Sequence, residues 1–123
     1  MKHMEFQPLV MDVQHVSHGE ENVLVLTIRG DAGMTDAFRM GDTLQDLLSQ
    51  PEHVIVLDLA GLQFIGGEGI DVLLTVRERI IVEKGQMRLV QPTPEVRHIL
   101  EVTRLDQILP IYNSLEEALA AGG

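Results

Sequence analysis

Residues 64–71, FIGGEGID, put three glycines and a carboxylate, Gly66, Gly67, Glu68 and Gly69, where an aliphatic run gives way to a helical pattern. Such a junction has three explanations: a cradle of amides for phosphate, a position that has lost a reactive side chain, or backbone geometry alone. A phosphate cradle combines glycine amides at a helix start with a lysine or arginine. Here Glu68 and Asp71 follow, and the first basic residue is Arg77. Two carboxylates in the first turns suit the positive end of a helix dipole and repel phosphate.

Other side chains able to do chemistry are sparse. Asp31, Asp58, Glu68 and Asp71 could gather at one sheet edge as oxygen ligands for a hard cation, but such a cluster is more often a solvated acidic rim, and no metal is expected. His15 and His18 flank a turn, and His3, His53 and His98 are read as solvated or edge histidines, so the five histidines form no ligand set. No serine, histidine and aspartate fall into a hydrolytic pattern, and the chain has no cysteine for nucleophilic attack, disulfides or thiolate zinc. The reading is a non-enzyme without a cofactor. The tripeptide RGD, residues 29–31, falls at a strand end and is read as chance.

The elements that must position these residues follow from hydrophobic spacing. LVMDVQHV and NVLVLTIRG, separated by SHGEE, read as a β-hairpin with Met11 and Val13 facing the core. MTDAFRMGDTLQDLLSQ places Met34, Phe38, Leu44, Leu47 and Leu48 on one helical stripe, with Thr35 or Asp36 near the N-cap and Pro51 beyond the end. HVIVLDLA, apolar at nearly every position, is the pattern of a central strand covered on both faces.

From about Gly67 to Glu83, Ile70, Leu73, Leu74, Val76, Ile80 and Ile81 recur at helical spacing until Gly85 stops the helix. MRLV is a further strand, and Pro94 opens a helix with Val96, Ile99 and Leu100 inward. ILPIY gives a last short strand, and Ser114 with Glu117 forms a capping box for SLEEALAA. The order predicts an α/β fold with a mixed sheet, an antiparallel hairpin followed by parallel strands joined by right-handed crossovers. Sites in such sheets lie beyond the carboxyl ends of the strands. The loops GDAG, residues 30–33, and FIGGEG should therefore share one edge.

Composition narrows the partners. At 123 residues the chain forms one domain, 1–123, whose core must come from Val, Leu, Ile and Met, because the aromatics are only Phe6, Phe38, Phe64 and Tyr112. A formal net charge of −10, of which −7 lies in residues 1–61, argues against nucleic acid, where affinity comes from lysine and arginine neutralising phosphates. No run is long enough to span a bilayer and MKHMEFQPLV lacks a signal peptide's apolar core, so a cytoplasmic protein is expected.

Over about residues 9–120 the chain resembles the STAS domain family, named for sulfate transporters and anti-sigma factor antagonists. The marks are VLVLTIRGD, HVIVLDLAGLQFI, and the unbroken succession from GIDVLLTVRERIIVEKGQMRLVQPTPEVRHIL to RLDQILPIYNSLEEALA. Antagonist-type members carry DSxG where this chain has GGEG, so the family's acceptor serine falls on Gly67 and its preceding aspartate on Gly66. Gly69 keeps the family glycine, and the family's GxLD turn reads GDAG, with its aspartate at Gly33 and Asp31 nearby.

The resemblance implies a non-catalytic module for partner switching, binding an anti-sigma factor or GHKL-type serine kinase through Asp31, Gly66, Gly67, Glu68 and Asp71. Glycine has no hydroxyl, so phosphorylation at Gly67 is excluded. Glu68 would imitate a phosphate only partially, with about one charge against roughly two, and a helix-dipole role is the simpler account. The alternative is a fixed subunit of a larger assembly, such as an ABC-type lipid transporter or a stressosome-like scaffold.

Overall fold

The structure, a computed structural model, describes residues 7–121. The expectations placed on His3 and on MKHMEF lie outside them. The elements run β1 (Val10–His18), β2 (Glu21–Ala32), α1 (Met34–Leu48), β3 (Val54–Ile65), α2 (Gly67–Val82), β4 (Gln86–Val90), α3 (Pro94–Val102), a 3-10 turn (Leu105–Gln107), β5 (Ile111–Tyr112) and α4 (Leu115–Ala120). Apart from the 3-10 turn, this is the order the hydrophobic pattern predicts.

The strands form one sheet in the order β1-β2-β3-β4-β5. β1 pairs antiparallel with β2 through a tight turn containing Gly19, at φ +64, and the remaining pairs are parallel. β3 is therefore the middle strand, and it is buried on both sides. Leu24, Leu26, Ile28, Ile55, Leu57 and Leu59 belong to the larger core cluster, with Met40 and Leu44 of α1, Leu73 and Val76 of α2 and Leu100 of α3. Val23, Val25, Val54 and Val56 belong to the smaller one, with Ala118 of α4. The alternation along each strand thus separates a leucine-rich face under three helices from a valine-rich face under one.

Inward assignments on three elements need correction. Met11 packs against the core, but Val13 is exposed on the edge strand. On α1, the buried residues are Ala37, Met40, Leu44 and Leu47, while Met34 and Phe38 face solvent at 65% and 66% exposure. Burying the stripe 37, 40, 44 and 47 turns positions 34 and 38 away from the core, since an α-helix brings a side chain back to one face only every 3.6 residues. Ile81 is likewise exposed rather than inward. The end of α2 is shared between two residues: Lys84 adopts the left-handed conformation at φ 63, and Gly85 is needed because a Cβ there would stand 2.5 Å from the His53 carbonyl.

The cap at α4 takes a variant form. Ser114 accepts from Glu117 N at 3.1 Å, but the Glu117 carboxylate reaches back to Asn113 N, also 3.1 Å, instead of to the cap residue's own amide. α4 is held to the sheet by Arg88, whose side chain is fully buried under it. The guanidinium donates to the Ala118 carbonyl at 2.9 Å, to Glu21 at 3.1 Å and to Gln86 at 2.9 Å. One cation thereby ties the last helix, the start of β2 and its own strand together.

Candidate functional site

β3 continues beyond the expected HVIVLDLA to Ile65, so what reads as its exit loop is still extended and paired with β2. Two register shifts, between Thr27 and Arg29 and between Gly30 and Asp31, each give β3 one residue more than β2. Both strands nonetheless end side by side, Ala32 opposite Ile65, and Gly66 N donates to the Ala32 carbonyl at 3.0 Å. The helices α1 and α2 therefore start next to each other at the carboxyl edge, as GDAG and FIGGEG predict.

Both starts are glycines in extended conformation, Gly33 and Gly66, and neither has a side-chain cap. The three glycines of GGEG have different reasons to be there. At Gly69 a Cβ would lie 2.6 Å from an Ile65 side-chain carbon, so its absence lets α2 sit on the end of β3. At Gly67 nothing lies within 4 Å of a Cβ, and at Gly66 the nearest atoms, Glu68 Oε2 at 3.4 Å and a Phe64 ring carbon at 3.5 Å, are at ordinary contact. Neither has positive φ. Backbone geometry accounts for Gly69 and leaves Gly66 and Gly67 free to carry side chains.

Around these glycines lie two open grooves that share Glu68 and Asp71. One, of about 600 Å³, is lined by Phe64, Gly67, Ile70, Ile99 and Thr103 among others, and runs between the start of α2 and α3. The other, of about 350 Å³, is lined by Phe38, Gly41, Val72 and Thr75 among others, between α1 and α2. Glu68 and Asp71 form an acidic ridge separating two largely apolar troughs. Met34, Phe38 and Phe64 are all large apolar side chains at least 40% exposed.

Gly66, Gly67, Glu68 and Asp71 are thus together at the surface, but Asp31 is not with them. It is 7% exposed, its carboxylate accepts from Gln7 N at 2.7 Å, and its own N donates to the Gln7 carbonyl at 3.1 Å. Asp31 fastens the segment before β1, which corrects the expectation that it presents itself to a partner. Arg29 instead pairs with Asp12 across the hairpin at 2.7 Å, so RGD is strand, not loop.

Asp58 alternates with Val54 and Val56 on the α4 side of the sheet and accepts from Ala60 N at 3.1 Å. The four acids therefore form no common shell, and among the described residues no group of three His, Asp or Glu side chains could hold a metal. Met34 and Phe38 are the site residues that sequence spacing misassigns. The available signal was the competing stripe 37, 40, 44 and 47, on which they do not fall.

The STAS domain model matches residues 14–118, most of the chain. This chain belongs to the STAS domain family. The anti-sigma F factor antagonist of Paenibacillus polymyxa is 32% identical over 111 residues, covering 89% of this chain and 94% of that protein. The crystal structure of an anti-sigma factor antagonist from Mycobacterium paratuberculosis superposes with TM-score 0.76 at 25% identity, covering 91% and 93%. SpoIIAA, an anti-sigma factor antagonist in its unphosphorylated form, has the same fold at TM-score 0.71 and 18% identity, covering 88% and 93%. The STAS domain here is thus similar to antagonists along nearly its whole length. Among its described residues no helix is long and apolar enough to cross a membrane.

Proposed function

We propose that this STAS domain is a non-catalytic docking module of the cytoplasm that binds an anti-sigma factor or a GHKL-type serine kinase through the Gly66 to Asp71 edge. Gly67 leaves it without an acceptor hydroxyl at the family's phosphorylation position. The observation that carries the reading is the exposed Phe38, which lines one trough with Glu68 and Asp71, while the unobstructed Gly67 lines the other trough with the same two carboxylates. Large apolar side chains next to bare backbone and carboxylates form an interface centre with a charged border. The antagonist names of the relatives support an anti-sigma factor as the partner class.

Because the space at Gly67 is empty, Gly67→Arg is compatible with the fold and obstructs the edge. Its affinity for the partner is expected to fall about tenfold, or about 1.4 kcal/mol. Titration calorimetry on the folded variant checks this, and unchanged binding would sink the surface assignment.

The missing hydroxyl gives a second expectation. With the kinase partner and ATP, the wild-type chain keeps its unmodified intact mass, whereas the double variant Gly66→Asp, Gly67→Ser gains one phosphate. Both side chains fit the space available. Stoichiometric phosphate on the wild type, for instance on Thr75 or Ser114, would overturn the claim that this module is silent to phosphotransfer.

A further inference from the structure

The sheet has two lateral edges, and they are guarded very differently. β5 offers two residues, Ile111–Tyr112, directly after Pro110. β1 offers nine, Val10–His18, paired with β2 over its whole length without a register shift. Among the described residues no further strand pairs with its outer side. Unpaired N–H and C=O groups along a regular strand are a template for another chain, and proteins guard such edges with proline, lysine, bulges or very short strands. β1 has none of these.

A formal charge of −10 repels a second copy of the chain, but that repulsion is locally reduced along β1. Its single carboxylate, Asp12, is paired with Arg29 at 2.7 Å, and His15 meets Glu52 at 2.6 Å. Both faces of the strand also present apolar surface. Val10, 43% exposed, follows the valine-rich side of the sheet, and Val13, 41% exposed, follows the leucine-rich side.

The hairpin determines which backbone groups are free. Its two-residue turn, Gly19 and Glu20, closes between His18 and Glu21, which in hairpins of this length are a hydrogen-bonded pair. Bonded and non-bonded pairs alternate, so Ser17, His15, Val13 and Met11 turn their N–H and C=O groups away from β2. An antiparallel copy of the strand pairs through those residues. With Val13 opposite its own copy, Met11 meets His15, Val10 meets Val16, and Asp12 meets Gln14, whose amide can donate to the carboxylate. No two like charges face each other in that register.

We propose that β1 is a homodimer interface, pairing antiparallel with β1 of a second copy about a two-fold axis through Val13, so that two five-stranded sheets become one. About six new backbone hydrogen bonds form across it. β5 is too short to continue the sheet, so assembly closes at two chains. No residue of the docking edge takes part, and the antiparallel pairing puts the two Gly66 to Asp71 edges at opposite ends of the dimer. A contact of one strand per chain lies at the small end of protein interfaces, so half of the chains are paired at about 0.1 mM rather than at nanomolar concentration.

Sedimentation velocity of the full chain, from about 10 µM to about 1 mM at physiological ionic strength, is the test. Wild type should pass from monomer to dimer and go no further. Val13→Lys and Val13→Asp each oppose like charges at the two-fold axis and should raise the dissociation constant about tenfold or more. An equimolar mixture of the two should recover the dimer, because only the mixed pair opposes unlike charges. Val102→Lys, at an exposed position on the end of α3, should pair as wild type does. The wild-type titration keeps the test independent of how the variants fold. A wild type that stays monomeric at the highest concentration, folded Val13 variants that pair undiminished, a mixture that recovers nothing, or growth beyond the dimer would each overturn the interface.

Discussion

Phe38→Ala is expected to weaken partner binding by about 2 kcal/mol, roughly thirtyfold, the size associated with an aromatic anchor at an interface centre. The ring is 66% exposed and lines the trough between α1 and α2 beside Glu68 and Asp71. Truncating it removes apolar area that only a partner would cover. Stability should change by no more than about 0.5 kcal/mol, because an exposed side chain leaves no core cavity. Titration calorimetry paired with denaturant unfolding separates the two quantities. Unchanged affinity would move the docking surface off α1, and a large loss of stability would return Phe38 to a packing role.

Arg88→Ala should act in the opposite sense, lowering stability by about 3 kcal/mol and the melting temperature by about 10 °C while leaving the docking edge intact. The side chain is fully buried and donates to three elements at once, so truncation both opens a cavity and strands the Ala118 carbonyl. Arg88→Met, which retains most of the packing volume, is expected to fall between wild type and alanine. Calorimetric melting of the three chains checks the order. A loss below about 1 kcal/mol for alanine would mean that α4 is held chiefly by its valine-facing contacts.

Much of the fold is legible because the periodicities are clean. The continuous apolar run at residues 54–57 identifies the covered middle strand, and the 3.6-residue recurrence from Ile70 to Ile80 identifies α2. The errors arise where two explanations share one pattern. On α1 the larger side chains, Met34 and Phe38, suggest the buried stripe, but the core takes the face of Ala37, Met40, Leu44 and Leu47. On β3, Gly61 and Gln63 look like loop residues, yet the extended strand accepts both, Gly61 opposite Arg29 of β2 and Gln63 as the extra residue at a register shift.

The candidate site is partly legible for a related reason. The helix start at residues 66–71 is local in sequence, so its position follows from a strand giving way to a helix. Asp31 looks equally available in sequence, but its fate depends on Gln7, 24 residues away. The opposite end of the sheet depends on contacts of longer range still, with His15 meeting Glu52 across 37 residues and Glu21 meeting Arg88 across 67. No local spacing encodes such meetings.

The anchoring of Gln7 by Asp31 also fixes where attachments leave the molecule. A label or fusion joined ahead of Gln7 departs from the edge that carries Gly66 and Asp71, whereas one joined after Ala121 departs beside the end of α4 and Glu52. The two ends of the described chain are natural reporters for opposite edges. An affinity handle for partner studies belongs at the second, and a fluorophore meant to sense docking belongs at the first.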